Sequence, residues 1–153
     1  TDLLQYKADY DRSLKQWNQA KEEHKNSYEY TLFLENSDST YRCSTIVVVK
    51  NGTVYSREQK AYIRNFETKE MHPLKIETWT ENQTQLGTHN SFPETLDEIY
   101  EGCNKSFFVD SESNYIIFTM DNQQLISVCG HSSFGCTDDC FRGVTIQDFK
   151  WLD

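Results

Sequence analysis

No apolar run in this chain approaches the roughly 18–20 residues that a membrane-spanning helix needs. The longest is Ile46-Val47-Val48-Val49, so no membrane span is expected. Basic side chains are the minority, with 15 Lys and Arg against 24 Asp and Glu, for a formal net charge of -9. That balance argues against nucleic acid as a partner, because phosphate contacts need clustered cations. Catalytic signatures are also missing. There is no Gly-x-Ser-x-Gly elbow and no Gly-rich phosphate loop joining a strand to a helix. Histidines number only four, His24, His72, His89 and His131. Carboxylates are so numerous that none stands out as half of a hydrolytic pair. A Cys-His pair formed in space, such as Cys103 with His89, has no local signal behind it. These absences lean against an enzyme, and no cofactor is implied.

Apolar residues make up only 37% of the chain, with a mean hydropathy of -0.75. Disorder does not follow, because nine Phe, nine Tyr and three Trp are present, and each ring buries roughly 150–250 Å². At 153 residues the expected organisation is one domain, 1–153.

Compartment is read from cysteines and sequons. Cys129, Cys136 and Cys140 lie close together, while Cys43 and Cys103 stand far upstream. An odd cysteine count in an oxidised chain leaves one thiol over, either buried as a small hydrophobe or shared with a partner or a second copy as a disulfide-linked dimer. Cys136 and Cys140 are close enough in sequence to pair, but spacing does not select among the pairings. Three N-x-[ST] sequons begin at Asn51, Asn82 and Asn104, all at positions that read as turns. The chain opens on Thr1 without a leader-like apolar stretch, which suits a leader already removed or a chosen boundary. A secreted, extracellular glycoprotein is the expectation.

Residues 1–26 read as one amphipathic helix: Leu3, Tyr6, Tyr10, Leu14 and Trp17 recur at steps of three and four. Asp2 is a candidate cap, Lys21, His24 and Lys25 complement the dipole at the far end, and Asn26 is a stop. The period then becomes two. Tyr28, Tyr30, Leu32 and Leu34 alternate with Glu29, Thr31 and Phe33, which suits a strand. Ser44 to Lys50 is β-branched and runs into Asn51-Gly52, a strong hairpin signal. Strands are further expected from Thr53, over 61–66, over 75–80, at 115–120 and 125–129 as a hairpin, and over 144–152. Thr95-Leu96-Asp97-Glu98 is a capping box that begins a second, short helix, with Gly102 as its stop. The fold class expected is α+β: a long N-terminal helix packed on a mostly antiparallel sheet, with a short helix inserted between strands.

The residues Trp17, Ser27-Tyr28-Glu29-Tyr30-Thr31-Leu32, Val47 to Val54 and Thr95-Leu96-Asp97-Glu98-Ile99-Tyr100 are similar to a family of small secreted or lipoprotein-like α+β domains of unknown function. The similarity covers the first two-thirds of the chain. It has no counterpart for the cysteine-rich loop or the Trp151 segment. It implies an exported α+β domain and no activity.

Metal chemistry is weighed at two places. Cys129, His131, Cys136 and Cys140 offer zinc ligands on paper, but in an oxidising compartment they would pair instead. Asp110, Glu112, Asn114 and Asp121 take calcium-loop positions, yet Tyr115 stands where the loop needs glycine. Asp138-Asp139 reads as solvated charge, and no metal is expected. Binding functions remain. The leading expectation is an extracellular interaction module with an unknown protein partner, since Tyr and Trp are common at interface centres. The alternative is a carrier of a small apolar ligand or pigment, lipocalin-like in role, although Lys15-Gln16 precede Trp17 where that family has Gly-x-Trp and the long helix leads instead of following. A further alternative is a cystatin-like protease inhibitor, because Gln83-Thr84-Gln85-Leu86-Gly87 matches the inhibitory Gln-x-Val-x-Gly wedge except at its central Val.

Overall fold

A computed structural model describes residues 2–153. Thr1 lies outside the described residues, and so does the side chain of Asp2 with its expected cap. The first helix, α1, spans Asp2–Glu23. Its buried face is Tyr10, Ser13, Trp17 and Ala20, one stripe at helical period. The chain leaves the helix through left-handed residues Lys25 and Asn26, and the Asn26 amide reaches back to the Lys21 carbonyl at 2.7 Å, a Schellman closure.

Eight strands follow: β1 (Tyr28–Glu35), β2 (Tyr41–Lys50), β3 (Thr53–Arg64), β4 (Met71–Pro73), β5 (Trp79–Glu81), β6 (Asn114–Met120), β7 (Ile126–Ser133) and β8 (Arg142–Trp151). The second helix, α2 (Leu96–Ser106), sits between β5 and β6. All ladders are antiparallel and the order is β4-β3-β2-β1-β8-β7-β6, with β5 also on β3. The last strand therefore lies beside the first, as in an up-and-down barrel. Among the described residues no ladder joins β4 or β5 to β6, so the sheet stays open on that side. No described helix is long and apolar enough to cross a membrane.

The α+β class matches the expectation, and three local readings are corrected. The stretches expected as separate strands at 53–56 and 61–66 are one strand of twelve residues. Residues 75–80 are not a strand: Lys75–Glu77 form a 3₁₀ turn and only Trp79–Glu81 pair. Gly102 does not stop α2, which continues to Ser106. A Cβ at Gly102 would meet nothing within 4 Å, so no steric demand forces a break there. The Thr95–Glu98 capping box is present in both directions.

Register puts both helices on one face. Tyr28, Tyr30, Leu32 and Leu34 share a side of β1, opposite Val49, Val47, Thr45 and Cys43 on β2, which face Ala61, Gln59 and Arg57 on β3. Trp17 is fully buried against Tyr28, ring centroids 5.0 Å apart, and against Trp151 at 5.6 Å. The segment leading into α2 crosses the same face. The Tyr30 hydroxyl donates to the Glu94 carbonyl, and Leu96 N–H donates to the Tyr28 hydroxyl at 2.8 Å. At the far side the Cys103–Cys129 disulfide ties α2 to β7. The helices thus cover the inner face from β6 to the Tyr28 end of β1. Its Leu34 end is left bare.

Candidate functional site

The bare end of the inner face holds a pocket of about 380 Å³. Leu34 and Cys43 form its β1–β2 wall, Gln59 and Trp79 its β3–β5 floor, and Ile76, Tyr41 and His89 its rim. Leu34 and Ile76 are largely exposed, at 57% and 87%.

Its polar groups are held in place by a buried ionic knot. Glu81 is completely buried and accepts from Arg57 Nε at 2.7 Å, Gly87 N at 2.9 Å, His89 N at 2.6 Å and His89 Nδ1 at 2.8 Å. Burial alone pushes its carboxyl up, but the Arg57 guanidinium and the Gly87 and His89 donors outweigh that and hold it at about 2. Arg57 in turn lies over the Trp79 ring at 4.7 Å and donates to the His89 carbonyl. The His89 ring stacks on Trp79 at 4.6 Å. With Glu81 ionised and acceptor-only, His89 donates to it through Nδ1. The Tyr41 hydroxyl donates to Glu77 at 2.6 Å. Burial, and then that bond, push the tyrosine up.

Cys43 is the unpaired cysteine and is half-buried in this wall. Burial pushes its thiol up, so it stays protonated and is a poor nucleophile. The other four expected cysteines pair as Cys103–Cys129 and Cys136–Cys140. Cys103 is therefore unavailable to His89, and Cys129, Cys136 and Cys140 are unavailable as thiolate ligands.

The remaining sequence candidates lie apart from the pocket. Asp110 accepts from Glu112 N and Ser113 Oγ, and Asp121 from Gln123 N and Leu125 N, so both close turns. Asp139 accepts from Ser37 N. Among the described residues no group of three His, Cys, Asp or Glu converges on a metal position. Gln83–Gln85 form an exposed 3₁₀ turn, and the Gly87 amide donates to Glu81. Asn51 and Asn82 are exposed in turns, but Asn104 is half-buried within α2, which corrects its reading as a turn residue. A second groove, of about 520 Å³, runs on the outer face between Phe33 and Phe141.

Sequence reasoning missed the pocket because its residues come from five separated stretches between Leu34 and Asn90. The one available signal was the inward phase of Arg57 and Gln59, and it reads as solvent-facing until the strand is known to be continuous. No family model, curated protein or solved structure matches the chain.

Proposed function

We propose that the chain is a secreted binding domain that carries a small, largely apolar ligand at the uncovered end of its sheet. The carrying observation is that this end is open and concave while the rest of the same face is filled. The 380 Å³ volume falls in the range of about 300–1,000 Å³ common for small-ligand sites. Leu34, Ile76 and the edge of Trp79 supply apolar contact. The Glu77 carboxylate at the rim supplies an acceptor, which favours a ligand with a hydrogen-bond donor at one end. Two intramolecular disulfides are compatible with an extracellular setting. A protonated, half-buried Cys43 favours carriage over covalent chemistry.

Native mass spectrometry of the protein purified from its source, without reductant, tests the proposal. The expected spectrum shows a monomer with a noncovalent adduct of a few hundred daltons, as suits the size range of such pockets. A bare mass accompanied by a retained protein chain would instead favour the interaction-module reading, and a doubled mass lost on reduction would place Cys43 between copies.

A further inference from the structure

We infer that Asn51 and Asn82 are N-glycan acceptors and that Asn104 is not, an inference that rests on the extracellular reading above. The three sequons are equivalent as sequence and different as structure. Asn51 begins the two-residue turn between β2 and β3, with φ of 51° followed by 78° at Gly52, a type I′ hairpin. The turn is fixed from the backbone side: Asn51 N donates to Ser27 Oγ at 3.0 Å and Gly52 N to the Asn26 carbonyl at 2.8 Å. The Asn51 side chain is exposed and makes no hydrogen bond among the described residues, so it carries nothing that a sugar would displace.

Asn82 is exposed at the start of the 3₁₀ turn. Its side chain accepts from the Gln85 amide, a bond made by Oδ1, and Nδ2 is left for the sugar. Asn104 differs from both. It is half-buried in α2, next to Cys103, which is itself 4% exposed and bonded to Cys129. A bulky glycan needs a solvated surface position, and a sugar on Asn104 would press on the helix at its covalent anchor.

The transfer is a substitution at the anomeric carbon of a lipid-pyrophosphate-linked oligosaccharide. Asn Nδ2 forms the bond to that carbon, the carbon–oxygen bond to pyrophosphate breaks, and one amide proton leaves. The placement also has a functional consequence. Val49 pairs with Tyr28 and Cys43 with Leu34, so Asn51 and the pocket residue Cys43 lie at opposite ends of β2, about 26 Å apart at roughly 3.3 Å per residue. A glycan on Asn51 therefore leaves the pocket open.

The test expresses the whole chain behind a supplied leader in a eukaryotic secretory cell. The secreted protein is weighed before and after peptide-N-glycosidase, and the released sites are mapped by deamidation in isotope-labelled water. The expected result is two glycans, one lost in Asn51→Gln, one lost in Asn82→Gln, and none lost in Asn104→Gln. A glycan mapped to Asn104, or a bare Asn51 or Asn82, would overturn the inference. Mapping on the unsubstituted protein decides the matter if a variant fails to be secreted. The supplied leader makes the outcome independent of the natural compartment, and binding of N-phenyl-1-naphthylamine by the deglycosylated protein reports on the pocket separately.

Discussion

Glu81→Ala is expected to remove about 3–5 kcal/mol of folding stability, the usual cost of breaking one side of a buried ion pair. Arg57 is only 7% exposed and would be left charged without its carboxylate. The amides of Gly87 and His89 and the imidazole of His89 would lose their acceptor in the same step. Urea unfolding measures this as a lowered midpoint with an unchanged slope. A shift of less than about 1 kcal/mol would show that the knot is not what holds residues 82–90 to β3. The same carboxyl gives an acid limb. Its folded value is depressed to about 2 from 4.5, so its contribution is complete above pH 4.5 and is lost as the pH falls through 4.5 toward 2. At about 1.4 kcal/mol per unit this amounts to about 3 kcal/mol, read as a falling Tm between about pH 5 and pH 2. In Glu81→Ala that limb should flatten.

Trp17→Ala is expected to cost a comparable amount, about 3–5 kcal/mol, from lost burial and the cavity left behind. Trp17 is wholly buried and touches Tyr28, Tyr100, Phe149 and Trp151. Its indole N–H donates to Asp97 at 2.8 Å, joining α1 to the first turn of α2. Calorimetry should show Tm lower by on the order of 10 °C for a chain of this size. Trp17→Phe should fall between the two, since it keeps most of the ring volume but not the donor.

What could be read from the sequence depended on range. The stripe containing Tyr10 and Trp17, the Tyr28–Leu34 alternation and the Asn51-Gly52 turn are local patterns, and each became the element they suggested. Ser13 was not legible. It is fully buried in that stripe, donating to the Gln124 carbonyl and meeting the Tyr100 hydroxyl, partners 111 and 87 residues away. Strand β3 reads as two pieces for a related reason: its inward residues include Arg57 and Gln59, satisfied by Glu81 and Thr45, while the outward Ser56, Glu58 and Lys60 are polar as well, so the apolar-in half of the usual alternation is missing there. The pocket depends on those inward polar residues, and its ionic knot draws on β3, β5 and the loop after β5. No single stretch of sequence records it. The Cys103–Cys129 pairing is likewise a product of tertiary structure, since spacing allows several alternatives.

The carrier account is tested most directly by fluorescence titration with N-phenyl-1-naphthylamine, an aromatic probe with one N–H donor. The unsubstituted protein should bind it saturably, one per chain. Ile76→Glu places a charge on the rim at a side chain that is 87% exposed, where folding is insensitive to it, and should weaken binding at least about tenfold, which is 1.4 kcal/mol. Equal binding by both proteins, or no saturable binding by either, would contradict the account.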